Sequence, residues 1–334
     1  MIISKTPFRI SFFGGGTDYP KWYSSKNNVG KVLSVTINKY SYIVLRYLPP
    51  FFNYKYRIRY YKREETKTLN QIQHPTVREV LKLLKIKEGV ELVHHADLPA
   101  RSGLGSSSTF TVGLLNVLYA LKKKKITKKL LASEAIFVEQ NLLNERVGSQ
   151  DQIAASYGGF NKITFSEKKP DNSFVVKKID CSNQKIKNLE NNLLLFFTGL
   201  VRTADLIVKD QLNQIEKNET CLNEMVQIVD YGEKILRSNN LQIKEFGKLL
   251  DLQWKLKKSL SKNISNSKID RYYNLGIEAG AIGGKLLGAG SGGFLLFYVE
   301  KEKQEQVKKN LSSILHVPFK FEKFGSCILY NQPQ

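Results

Sequence analysis

The segment LPARSGLGSSSTF (residues 98–110) carries one bulky side chain, Leu104, between Ser102 and Ser108. It lies between the apolar strand pattern VELVHHADL (90–98) and the helix-forming run TFTVGLLNVLYAL (109–121). A small-residue linker ordinarily joins two polar segments, so this stretch is not read as one. Two readings stay open. A glycine-rich loop entering a helix leaves backbone N–H groups exposed with no Cβ in the way, and the positive end of the helix dipole adds to them, which makes a phosphate cradle. Alternatively the serines cap an ordinary helix, a position Ser favours.

Two further loops bear on the choice. FFGGGTDYP (12–20) is again glycine-rich and carries an acid. GAGSGG (288–293) formally fits G-x-G-x-x-G, but it precedes the strand pattern FLLFYV (294–299) and opens no helix, so a dinucleotide fold is excluded. GGKLL (283–287) lacks the spacing of a P-loop and the Ser/Thr after Lys. Three such loops, far apart in the chain, point to convergence on one polyphosphate site.

The 334 residues suffice for one large domain or two ordinary ones, and 42% hydrophobic with 11% aromatic content is globular. The longest apolar run, NLLLFFTGLV (192–201), suits a buried strand and is too short for a membrane span. The N-terminus begins like a strand and shows no signal-peptide cleavage site. Three cysteines without a CxxC pair argue against a zinc site or a disulfide framework, so a reducing, cytoplasmic setting is expected. The net charge of +22 reads as lysines on solvated faces. KKKK (122–125) follows a helix, where cations suit the dipole. No helix-turn-helix or RNA-recognition signature accompanies the charge, so neither nucleic acid nor membrane is expected as a partner.

Strands are predicted over 31–48, 54–61 and 90–98, and helices over 76–86, 107–122 and 128–145. The polar section 166–192 marks a boundary. Beyond it come strand LLLFFT (193–198), a long helical region 203–260, helix 268–279, loop 280–293, strand FLLFYV, helix 301–315 and two strands.

Together, LPARSGLGSSSTF, PFRISFFGGGTDYP (7–20) and GGKLLGAGSGGFLLF (283–297) resemble the three motifs of the GHMP kinases, the galactokinase, homoserine kinase, mevalonate kinase and phosphomevalonate kinase group. Within that group the chain resembles the D-glycero-D-manno-heptose 7-phosphate kinases, with fucokinase-type kinases next. The resemblance implies an α+β fold of two domains with the active site between them. These are an ATP-binding N-terminal domain like domain 2 of ribosomal protein S5 (1–180) and a ferredoxin-like C-terminal domain (181–334). ATP, Mg²⁺ and a small-molecule sugar phosphate are the implied ligands.

Residue roles follow from the same resemblance. VGSQDQIAASYGG (147–159) matches the segment that holds the catalytic base, which falls on Asp151; read alone, Asp151 could also be a plain helix-start acid. Arg9 matches the cation that keeps this acid ionised and balances charge on the transferring phosphoryl; its alternative is a surface residue on an edge strand. Asp18 matches the acid that grips sugar hydroxyls, although Asp is also common in turns. Ser102, Gly103, Leu104, Gly105, Ser106, Ser107 and Ser108 are expected around the nucleotide. Ser107 and Glu139 are expected to hold Mg²⁺, with Glu134 as substitute. Gly14, Gly15, Gly16, Asp18, Arg202, Lys285 and Gly290 are expected around the substrate, with Gly288, Gly290 and Gly292 letting the C-terminal loop approach it. Read from its setting rather than from the resemblance, Arg202 follows an apolar strand and a glycine turn and precedes a helix, which makes it the first candidate to anchor a second phosphate, with a local capping or packing role as its alternative; Lys285 is the second candidate. Galactokinases carry bulky polar residues where this chain has Gly15 and Gly16, which leaves room for a longer sugar. His94 and His95 are neighbours on a strand and face opposite ways, so they are read as structural.

Overall fold

The computed structural model describes residues 1–25, 28–167, 174–200 and 205–332. Its strands are β1 (Ile2–Phe13), β2 (Gly30–Tyr47), β3 (Tyr56–Arg59), β4 (Arg63–Thr66), β5 (Val90–Ala96), β6 (Phe160–Phe165), β7 (Phe174–Lys178), β8 (Leu193–Phe197), β9 (Gly283–Leu286), β10 (Phe294–Tyr298), β11 (Leu315–His316), β12 (Phe321–Glu322) and β13 (Cys327–Asn331). Its α-helices are α1 (Pro20–Tyr23), α2 (Pro75–Leu83), α3 (Ser106–Leu121), α4 (Lys128–Phe137), α5 (Gln150–Tyr157), α6 (Asn183–Asn191), α7 (Asp205–Asn213), α8 (Glu219–Arg237), α9 (Lys244–Ser259), α10 (Ser267–Glu278) and α11 (Gln304–Asn310).

Among the described residues the strands form two sheets. The first runs β13-β1-β2-β5-β3-β4, with β6 and β12 also on the long strand β2, and β7 on β6. The second runs β11-β8-β10-β9. β12 and β13 come from the end of the chain yet pair with β2 and β1, so that end lies with the first sheet. β13 pairs β1 only over Ile2–Lys5, so Arg9 has β2 as its strand neighbour, but its side chain is buried and it is not a surface residue.

Helix α3 is apolar nearly all round and buried along most of its length, against β1 and β2 on one side and α4 and α5 on the other. Helices α8 and α9 fill the space between the sheets, touching both β1 and the second sheet through α9. Phe12 and Phe13 reach from β1 to Phe246 of α9, with ring centroids 5.1 and 4.7 Å apart. Each ring is fully buried and contributes roughly 1.5–3 kcal/mol of hydrophobic free energy. At the rim, Lys31 and Lys162 of the first sheet meet Asp230 of α8 at 2.6 Å each.

The structure revises several sequence expectations. The helix predicted over 128–145 stops at Phe137 and continues as a π turn, Val138–Leu142. The long helical region divides into α7, α8 and α9. Helix α6 forms in the polar boundary section, started by Ser182, whose hydroxyl accepts from Lys185 N–H, and held by the buried Leu189. Strand β9 lies inside the expected loop. Its two glycines gave no strand propensity, but α9 lies so close that a Cβ at Gly283 would stand 2.1 Å from the Gly247 carbonyl. The last helix is the short α11 rather than 301–315. Among the described residues no helix is long and apolar enough to cross a membrane.

Candidate active site

The glycine loops converge. The loop after β1, the loop into α3, the segment before α5 and the loop after β9 line one cleft of about 630 Å³. Its wall carries Arg9, Arg101, Arg146, Lys257 and Lys285 against Asp18, Glu145 and Asp151, an excess of cations suited to phosphate groups.

Arg9 and Asp151 form a bidentate pair in the wall. Nε donates to Oδ1 and Nη2 to Oδ2, both at 2.7 Å, and Nη1 donates to the Gly103 carbonyl at 2.9 Å. The guanidinium is buried while the carboxylate keeps 22% of its side-chain surface open. One Arg side chain thus fixes both the acid and the start of the phosphate loop.

Asp18 is buried and held on two sides. Gly16 N–H donates to Oδ1 at 3.0 Å, and Gln150 reaches Oδ2 with its backbone N–H at 3.3 Å and its side-chain amide at 3.0 Å. Burial pushes this carboxyl up from its ordinary value and the Asp151 charge adds to the effect, while the N–H donors oppose it. Gly148 is required here, because its Cβ would stand 1.9 Å from Asp18 Oδ2.

Helix α3 begins at Gly105, which is left-handed (φ 80°) and gives no side-chain cap. The capped-helix reading of the serines therefore fails. The first-turn N–H groups are not covered by a capping side chain, and Gly103, Gly105, Ser106, Ser107 and Ser108 line the cleft. A Cβ at Gly105 would press on the Asp151 carboxylate at 3.1 Å, so acid and phosphate loop are in immediate contact. Ser102 and Leu104 are fully buried behind the loop rather than on the cleft wall. Leu104 packs in the core while its carbonyl accepts from Arg9 N–H.

Ser107 and Glu139, the expected Mg²⁺ ligands, do not bond each other directly. Ser108 donates to Glu139 Oε2 at 2.8 Å, joined by Gln152 Nε2 at 2.5 Å, and Ser107 is exposed. Consecutive helix residues point about 100° apart, so one hydroxyl faces the π turn and the other the cleft. Glu139 is wholly buried, which pushes its carboxyl up to about 7, and its Oε1 has no partner. A buried carboxylate oxygen without a donor, on a carboxylate that the Ser108 hydroxyl already meets, fits a small hard cation. Among the described residues no group of three or more His, Cys, Asp or Glu could hold a metal alone. Glu134 is engaged elsewhere, by Tyr119.

The glycines of the C-terminal loop make close backbone contacts. Gly288 packs on Gly103, Gly290 on the Ile264 backbone and Gly292 on the Leu200 carbonyl. They allow backbone to meet backbone, and Gly288, Gly290 and Gly292 line the cleft as a result. Gly15 and Gly16 also line it. Gly14 does not: it is a turn residue (φ 80°) whose Cβ would stand 1.9 Å from the Lys31 carbonyl. Lys285 lines the cleft and donates to the Ser11 and Phe12 carbonyls at 2.9 Å each. Burial, with Lys257 and Arg9, pulls its ammonium down to about 7. Arg202 lies outside the described residues. His94 bonds Ser41 and packs edge-on to Phe110, as a structural residue.

Sequence reasoning missed Lys257. Its helix α9 buries Leu250, Gln253 and Trp254, and Lys257 continues that stripe at i+3 and i+4 spacing. A lysine on the apolar face was the available signal. Gln150, which orients Asp18, was missed for lack of any.

Comparison with known proteins agrees with this architecture. The family models for the GHMP kinases N terminal domain and GHMP kinases C terminal match residues 72–159 and 236–316. A D-glycero-alpha-D-manno-heptose 7-phosphate kinase of Campylobacter jejuni is 30% identical over 326 residues, 93% of each chain. A bifunctional fucokinase/GDP-fucose pyrophosphorylase of Arabidopsis thaliana is 25% identical over 348 residues, which is 96% of this chain and 32% of that longer protein. The crystal structure of a D-glycero-D-manno-heptose 1-phosphate kinase from Bacteroides thetaiotaomicron has the same fold, with a TM-score of 0.80 over 99% of both chains at 22% identity. With the glycine loops, the acid–arginine pair and these relatives in view, the chain belongs to the GHMP kinases, as a sugar kinase that phosphorylates an alcohol group.

Proposed function

We propose that this sugar kinase transfers the γ-phosphoryl group of ATP to O1 of D-glycero-D-manno-heptose 7-phosphate, giving the 1,7-bisphosphate and ADP. The observation that carries the transfer step is the Arg9–Asp151 pair in contact with Gly105 at the start of α3. The choice of sugar rests on the Campylobacter jejuni relative and on the cation excess of the cleft.

In this reading the N–H groups at the start of α3 hold the phosphate oxygens of the nucleotide, with Ser106 and Ser107 beside them. The acceptor hydroxyl approaches Asp151, which takes its proton as the oxygen forms a bond to the γ-phosphorus and the bond to the bridging oxygen of ADP breaks. Arg9 holds the carboxylate in one orientation and offsets charge on the transferring group. Asp18 and the glycines Gly15 and Gly16 bind the sugar. Glu139 with Ser107 or Ser108 would hold Mg²⁺, which supplies positive charge to the phosphate oxygens when bound.

The test is ³¹P NMR of the products formed with ATP from a panel of free and phosphorylated heptoses, fucose and galactose. A new anomeric phosphate resonance from heptose 7-phosphate is expected. Faster transfer to fucose or to free heptose would replace this reading by a fucokinase-like one, and no transfer to any sugar would remove it.

A further inference from the structure

Lys257 of α9 is buried in the cleft wall beside Gly15 and Gly16. Contacts order the site. Asp151 touches Gly105, Asp18 follows through Gln150 and Gly16, and Lys257 lies beyond Gly16, where a Cβ would stand 3.4 Å from Nζ. The ammonium donates to the Gly15 carbonyl at 3.3 Å and to Gln211 Oε1 at 3.0 Å. An ammonium has three donors, so one remains. Among the described residues no carboxylate lies within ion-pair distance of it.

This arrangement is costly in the protein alone. A buried cation without a counter-ion loses its hydration and gains little from two neutral acceptors. Burial accordingly pulls the ammonium down to about 8, although the Asp18 charge opposes that. If Lys257 only tied Gly15 to α7, a neutral amide would do so at lower cost. Lys285, the other buried lysine, likewise keeps one donor, but it is bonded to Ser11 and Phe12 of β1 and feels the charge of Arg9, which places it at the reacting centre. Lys257 is therefore the buried cation beside Gly15 and Gly16 at the acceptor end, whereas Arg101 and Arg146 on the same wall are exposed.

We infer that Lys257 binds the phosphate group the sugar already carries, with Gln211 positioning its ammonium, and so sets the preference for a phosphorylated over an unphosphorylated acceptor. The inference rests on the proposed reaction. It assigns recognition of the distant phosphate to a residue of α9. The phosphate dianion supplies the counter-charge that the free site lacks, and its oxygens take the remaining donor.

The experiment compares kcat/KM for heptose 7-phosphate and free heptose in the wild type and in Lys257→Met. Both sugars are measured on the same preparation, so partial loss of folded protein cancels in the ratio. The wild type is expected to prefer the phosphorylated sugar, and Lys257→Met to reduce that preference roughly ten- to hundredfold with KM for ATP held. An equal loss for both sugars in Lys257→Met, with the preference intact, overturns the inference and leaves the proposed reaction standing. No preference in the wild type overturns the substrate reading itself.

Should Lys257→Met fail to fold, the wild-type ratio is followed with pH. The groups facing Nζ are Asp18 of the loop after β1, Cys221 of α8 and, further off, Lys285 of β9, with the neutral Gln211 of α7. Loss of the proton from Lys257 lowers the preference for the phosphorylated sugar as pH rises through about 8. A ratio that stays flat from about pH 7 to about pH 9.5 overturns the inference.

Discussion

Gly103 and Gly288 meet backbone against backbone: a Cβ at Gly288 would lie 2.5 Å from Gly103 Cα, and one at Gly103 would lie 2.4 Å from the Leu287 carbonyl. The phosphate loop is thereby braced from the second sheet, at a spacing only glycine permits. Gly288 is also left-handed, at φ 83°. Gly288→Ala is expected to cost roughly 1–3 kcal/mol or more, to lower Tm and to raise KM for ATP. Gly15→Ala, whose Cβ would meet its nearest atoms at 3.5 Å, is expected to keep the wild-type Tm. Thermal unfolding of the two variants checks the contrast; equal Tm values would mean that the loops tolerate separation.

Asp151→Asn keeps the shape of the side chain and removes the proton acceptor. It is expected to bind ATP as the wild type does and to lower kcat at least about 100-fold. Calorimetry with a non-hydrolysable nucleotide gives the first quantity and single-turnover kinetics the second. Near-normal turnover would take Asp151 out of the chemistry.

Ser107 and Ser108 are adjacent but face different surroundings, so their alanine variants should differ in kind. Ser108→Ala removes a donor from the buried Glu139 and is expected to destabilise the fold by about 1–3 kcal/mol. Ser107→Ala is expected to leave Tm unchanged and to raise the Mg²⁺ concentration needed for half-maximal turnover. Melting curves and an Mg²⁺ titration of each variant decide it; a matching loss of Tm in Ser107→Ala would reverse the two faces.

The half-buried His94 gives a pH signature. Burial, aided by His74 and His95, pulls its imidazolium down to about 4 from the usual 6.5. The unfolded chain therefore binds this proton more readily than the folded one between those values. Stability from the neutral ring is full above about pH 6.5 and is lost as pH falls toward 4, by about 2–3 kcal/mol at most. His94→Gln is expected to flatten that part of the stability curve. Urea midpoints at about pH 7 and about pH 4.5 measure it, and an unchanged slope in the variant would assign the loss to other groups.

Helix α3, the long strand β2 and the three glycine loops were legible because each is written in consecutive residues. Glycines in a loop, small side chains at a helix start and alternating β-branched residues act over a few positions, and local chemistry fixes them. Asp151 and Arg9 were legible as candidates for the same reason, since each sits inside a recognisable segment. Their pairing was expected only from the family resemblance; its bidentate geometry at 2.7 Å across 142 positions was not legible, and the two residues meet because β1 and α5 pack on the same helix.

The remaining features depend on which face an element turns to its neighbours. Glu139 and Ser108 meet because a π turn interrupts the helix after Phe137 and directs the acid inward. β9 is a strand because β10 lies beside it and α9 above it, with two glycines allowing the close approach. Gly288 and Gly290 are spacers between backbones, a requirement set by Gly103 and Ile264 far away in the chain. Lys257 is buried because the stripe of α9 that carries it faces the loop after β1, while Lys255, two residues earlier on the same helix, is exposed. The sequence by itself determined the loops, the helix that receives the phosphate and the residues able to do the chemistry. Tertiary structure decided which serine meets the acid, which glycines hold the loops together and which lysines are buried in the cleft wall, because burial and long-range contact depend on packing rather than on neighbours in the chain.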